Sequence, residues 1–109
     1  MAKVKTKQRS NFRIIFSLLE DGAAADVTGC SARMQIRDWN GNLMVTATSD
    51  DYLTVGTTDG LVTCDIAASV MDIAADEYVA DLELTYDGGT IRTTATFEVE
   101  VLEKITEDD

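Results

Sequence analysis

In "RMQIRDWNGNLMV", residues 33–45, Asp38, Asn40 and Asn42 stand at every second position. A calcium loop presents its first oxygen ligands in that order. Such a loop needs glycine at its sixth position for the sharp turn and a bidentate glutamate at its twelfth. Here those positions hold Leu43 and Ser49, and Asp50 comes one place too late. The same stretch reads more simply as a β-hairpin, with Asn40-Gly41 at the turn centre, where positive φ is cheap. Trp39, the one tryptophan, lies beside that turn. Its large ring with a polar N–H suits packing over the end of its own domain or contact with a partner.

Other chemistries are thinly represented. Histidine is absent, which removes the usual general base near neutral pH. The chain has no GxSxG motif and no phosphate-binding loop. A glycosidase-like mechanism needs two carboxylates across one cleft. Asp81, Glu83, Glu98 and Glu100 instead alternate with apolar residues, as solvated outward charges on strands do, and Asp50-Asp51 and Asp76-Glu77 read as loop charges. Cys30 and Cys64 lack CxxC spacing, and two cysteines without histidine are too few for a zinc site. Cys64 falls in the alternating run Val62-Cys64-Ile66 and reads as a small core residue; a disulfide between the two is left open. The expectation is a protein that is not an enzyme and uses no cofactor or metal.

Charge is unevenly placed. The formal net charge is −11, yet Lys3, Lys5, Lys7, Arg9 and Arg13 all precede the first carboxylate, Glu20. The acidic remainder repels nucleic acid and anionic membrane, so neither is an expected partner. In "KVKTKQRS" an extended backbone points Lys3, Lys5, Lys7 and Arg9 the same way. Such a basic arm suits an acidic strand of a neighbouring copy, combining charge attraction with backbone pairing. With Trp39, these four are the expected partner-binding residues, and deleting residues 2–10 is expected to weaken assembly while the domain stays folded.

These residues must be positioned by β structure. A chain of 109 residues with 45% hydrophobic composition suits one domain with one core. No run approaches the roughly 20 apolar residues that span a bilayer. No apolar signal-peptide core follows the basic start, which points to a soluble protein of the cytosol unless it leaves in an assembly. Period-two alternation recurs. It places Phe12, Ile14, Phe16 and Leu18 on one face, with Ile15 and Leu19 opposite, so that strand is expected to be covered on both sides. Ala32, Met34 and Ile36 form another inward set, and Tyr78, Ala80, Leu82, Leu84 and Tyr86 a third. "TIRTTATFEVEVL" reads as one strand with Ile91, Thr93, Ala95, Phe97, Val99 and Val101 on one face. "AASVMDIAA", residues 67–75, predicts a short helical crossover capped by Asp65 or Ser69. The expected fold is all-β: an antiparallel immunoglobulin-like sandwich of seven or eight strands. It comprises a basic arm over 1–10, the domain over 11–102 and an acidic tail over 103–109. Proline is absent, so no strand edge is blunted by it and a free edge could accept a partner's strand.

"DVTGCSARMQIRDWNGN", "GLVTCDI" and "ADEYVADLELTYDGGTIRTTATFEVEV" together resemble small structural proteins of tailed bacteriophages, including the N-terminal β-sandwich domain of baseplate upper proteins. The resemblance spans roughly residues 10–102 and rests on a D-[LV]-T-G turn, an R-x-x-I-R strand, a G-x-[VI] strand after a turn and a closing T-x-x-F-x-[VI]-x-V strand. Asp76 departs from the glycine expected before the Glu77-Tyr78 pair. The resemblance implies a virion adaptor of the tail, baseplate or capsid surface, made in the host cytoplasm. Other virion proteins and further copies of itself in a homo-oligomer or symmetric assembly would be its partners, and no catalytic residues carry over. Capsid decoration is the nearest alternative, and a carbohydrate- or calcium-binding sandwich the alternative of another class.

Overall fold

The computed structural model describes residues 1–106. The expected tail over 103–109 thus lies partly outside the described residues, at 107–109. Two sheets face one another. The larger runs β1 (Lys3–Lys7), β11 (Phe97–Leu102), β9 (Asp76–Thr85), β5 (Ser31–Asp38) and β6 (Leu43–Thr48), with β10 (Ile91–Thr93) also on β9. The smaller runs β2 (Phe12–Ser17), β8 (Leu61–Ile66) and β7 (Leu53–Val55), and β3 (Leu19–Glu20) and β4 (Ala23–Ala24) make a small separate hairpin. Pairing between these strands is antiparallel except between β1 and β11, and the isolated Thr48↔Tyr52 bridge is also parallel. The fold is an immunoglobulin-like β-sandwich.

Alternation builds the core. Met34, Ile36, Leu82, Leu84, Val99 and Val101 from the larger sheet meet Phe12, Val62, Cys64, Ile66 and Leu53 from the smaller. Both cysteines are free and buried, and burial, seconded by the Asp65 charge, pushes the Cys64 thiol up to about 12. Tyr78 is buried with its hydroxyl donating to the Ala74 carbonyl at 2.6 Å, so its polar end is satisfied inside the apolar layer.

Three expectations change. The helical crossover at 67–75 is absent: a single turn forms, with Val70 N–H donating to Ala67 O and Met71 N–H shared between Ala67 O and Ala68 O. Its first free N–H, on Ala68, is capped by the Asn11 side-chain oxygen rather than by Asp65 or Ser69. Beyond that turn the carbonyls of Met71, Ile73 and Ala74 accept from Arg9 N–H, the Gln8 amide and the Tyr78 hydroxyl, so the segment follows the end of the sandwich instead of coiling further.

The basic arm is not separate from the domain: Lys3–Lys7 is its first strand, five residues in parallel register with β11. The closing strand is also broken. Between the pairs Thr93↔Glu83 and Phe97↔Ala80, three residues (94–96) oppose two (81–82). That extra residue is a bulge, held by Leu82 N–H donating to Thr94 Oγ1 and Thr94 N–H to Leu82 O. A slip of one residue reverses the faces before it. Ile91 therefore turns outward, at 60% exposure, while Arg92 pairs with Leu84 on the core side.

Candidate interaction surface

Both sheets end in edges with no strand outside them among the described residues. β1 and β2 form one flank; β6 and β7 form the opposite one, joined at a corner by the Thr48↔Tyr52 bridge. Between β1 and β2 the sandwich is open. A groove of about 730 Å³ runs there, with Val4, Ile14 and Phe16 as walls and Phe97 at its base. Phe16 meets Phe97 edge to face, ring centres 5.8 Å apart. Arg92 is the one charged side chain in the lining among the described residues, and its Nη2 donates to Leu19 O at 2.8 Å. Among the described residues no carboxylate lines the groove, in a chain of net charge −11. Ile15 and Leu19 stand 57% and 55% exposed at its rim, so β2 is covered by this chain on one face only, not both.

The structure separates the expected partner-binding residues. Lys3, Lys5 and Lys7 share the outer face of the larger sheet, beside Glu98, Glu100 and Leu102 in register. Lys3 reaches Glu100 at 3.1 Å and Glu77 at 3.2 Å. Hydrogen bonds first to Glu100 and then to Glu77 hold its ammonium above the ordinary lysine range. The acidic strand sought in a neighbour is thus also present in the same chain. Arg9 leaves that row: its φ is +52°, its N–H donates to Met71 O, and its guanidinium lies 3.7 Å from Asp72.

Trp39 lies at the tip of the β5–β6 hairpin, 57% exposed and outside the core. The loop is Trp39-Asn40-Gly41, three residues rather than an Asn-Gly pair. Gly41 N–H donates to Asp38 O and Asp38 N–H to Asn42 O, with Gly41 alone of the three at positive φ, +88°. Asp38 braces this turn. Its Oδ1 accepts from Asn40 N–H and Asn42 N–H, and its Oδ2 from the Asn42 amide, each at 2.9 Å. These bonds, the Asn42 side chain first, hold its carboxyl below the ordinary range. The lone pairs a calcium ion would use are directed at the turn's own donors. Leu43 and Met44, at the start of the free β6 edge, are also exposed.

Sequence reasoning missed Arg92 and the groove, because regular alternation places Arg92 outside and only the bulge turns it in. A hint was available in Thr94-Ala95-Thr96, a weakly hydrophobic break inside a strong strand pattern.

No family model matches this chain, and no curated protein does. Among solved structures it is similar to CopC from Methylosinus trichosporium OB3b, at 17% identity and TM-score 0.54, over 99% of this chain and 91% of that one. It is also similar to extracellular domains 3–5 of Drosophila OTK, at 18% identity and TM-score 0.37, over 95% of this chain and 33% of that one. At 17% identity the first likeness shows the fold alone, and the second carries no argument.

Proposed function

We propose that the chain is a non-catalytic structural protein of a tailed-phage virion, a β-sandwich adaptor that docks other virion proteins at the tail, baseplate or capsid surface. The observation that carries the reading is the open flank beside β2: among the described residues, an unpaired strand edge and an apolar groove with Arg92 as its one charged side chain. Strand addition to such an edge supplies backbone hydrogen bonds, and the groove selects alternate side chains. The row Lys3, Lys5, Lys7 on the same flank adds attraction for an acidic neighbour. The motif resemblance supports the virion setting. The carbohydrate- or calcium-binding alternative is disfavoured by Asp38, whose carboxylate closes a turn, while the exposure of Trp39 suits a protein contact equally well.

Cryo-EM of purified virions tests the proposal. The expected result is density for this sandwich at repeated positions, its β1–β2 flank against another virion protein. Absence of the chain from purified virions would overturn it.

A further inference from the structure

The two flanks differ in a way that names a partner for the open one. The flank of β1 and β2 carries Lys3, Lys5, Lys7 and Arg13, with Arg92 in its groove. The strands β6 and β7 belong to the stretch between Arg37 and Arg92, which contains no Lys or Arg; the nearest cations are Arg33 and Arg37 on β5, opposite Thr48 and Leu43, with Arg33 near Glu83 and Arg37 bonded to Gly41 O and Gln35. Their flank is bordered by the exposed carboxylates of Asp50, Asp51 and Asp59. Each flank ends in a strand with an open edge: β2 over Phe12–Ser17, and β6 over its first five residues, 43–47, since the Thr48 N–H and carbonyl already bond Asp51.

We propose that copies of this chain join head to tail, the free edge of β2 in one pairing antiparallel with the free edge of β6 in the next. The inference rests on the assembly reading above in that it gives the same flank a partner, a second copy. Sequence complementarity sets the direction. Run antiparallel, the start of β2 meets the end of β6, which places Arg13 beside the next copy's Asp50-Asp51. Ile15 and Leu19 then approach its exposed Leu43 and Met44. One register satisfies both faces at once. Ile15 opposite Thr46 keeps exposed residues together, and it sets Ile14 against Ala47 and Phe16 against Val45, so the core faces run on. A contact between different edges is heterologous and builds a ring or a filament rather than a closed pair.

Sedimentation of the purified full chain, with two edge variants, tests this. Ile15→Lys and Thr46→Lys each place a charge on one exposed edge position, a substitution that blocks edge pairing without touching the core. Wild-type mass should rise with concentration at low salt and fall in about 1 M salt, where the screening length is about 3 Å. Each variant alone should stay monomeric with an unchanged melting midpoint. Mixed, they should form one-to-one dimers that grow no further, because each keeps the edge the other lacks. Met44→Lys substitutes at the same edge if Thr46→Lys folds poorly. A wild type that is monomeric throughout overturns the proposal. So does assembly lost on Ile15→Lys but kept with the β6 variant, which would indicate β2 pairing with itself. Failure to find the chain in virions would leave this result standing, so the two proposals can fail separately.

Discussion

β1 and β2 follow one another in the chain, joined by Gln8–Asn11, and each ends a sheet on the same flank. They solve the exposed-edge problem in opposite ways. β1 presents Lys3, Lys5 and Lys7 on its outer face and only Val4 and Thr6 toward the core. Lysine is the usual guard of an edge, since a neighbouring strand must strip its hydration to pair there. β2 presents Arg13, Ile15 and Ser17 outward and Phe12, Ile14 and Phe16 inward, so its edge is apolar for most of its length. One edge is guarded, and its neighbour is left able to pair. That asymmetry is hard to explain as solubility alone, because one lysine at position 15 would have guarded both.

The largest expected effect comes from removing the guarded edge. Deleting residues 2–10 takes away the pairing of β1 with β11, the Glu98 N–H bond to Ala2 O, the Gln8 N–H bond to Leu102 O and the packing of Val4. Several net hydrogen bonds and one half-buried valine sum to roughly 3 kcal/mol. Urea denaturation should show a clearly lowered midpoint, a cost to the domain that reading these residues as an arm, with the domain staying folded, does not include. An unchanged midpoint would make β1 an accessory and dissolve the contrast between the two edges.

A smaller effect separates the two faces of β2. Ile14 packs half-buried against the core, whereas Ile15 is 57% exposed. Ile14→Ala should destabilise the monomer by about 1–2 kcal/mol, below the cost of a fully buried isoleucine. Ile15→Ala should stay within about 0.5 kcal/mol. Equal losses in thermal melts of the dilute protein would mean that Ile15 is covered by the chain itself, and that β2 is not an open edge.

Alternation made most of this architecture readable in advance. The inward sets of β2, β5, β8 and β9 follow directly from period-two patterns, because each lies against a single core. What alternation could not show was how the elements pair. Nothing local in "KVKTK" says whether its acidic partner is Glu100 of the same chain or of another, since charge and periodicity are alike in both cases. The bulge at 94–96 was hidden because Thr and Ala are tolerated on either face, so alternation can be drawn through it while the backbone slips, and the weak hydrophobicity of those three residues is its one trace. Arg92 in the groove is the consequence. In "AASVMDIAA" alanine favours helix, but the tertiary acceptors and donors of Arg9, Gln8, Asn11 and Tyr78 compete for the same backbone groups and win.

The smallest expected effect tests how the guard is held. Lys3 bridges Glu100 and Glu77, but its side chain is 36% exposed and solvent screens the pair. Because folding raises its pKa above the ordinary 10.5, the contribution is fully present below that pH and is lost as pH rises through the higher folded value. Thermal melts of wild type and Lys3→Met should therefore differ slightly at neutral pH, differ less in high salt, and converge in strong alkali. All other groups are common to both proteins and cancel in the difference. A gap that persists unchanged into alkali would assign the role of Lys3 to its methylene stem lying along the strand. The guard on β1 would then be steric, and introducing a charge at Ile15 would be a poor imitation of it. Convergence would instead make charge the property that distinguishes the two edges, and a lysine at position 15 the direct way to make the second edge resemble the first.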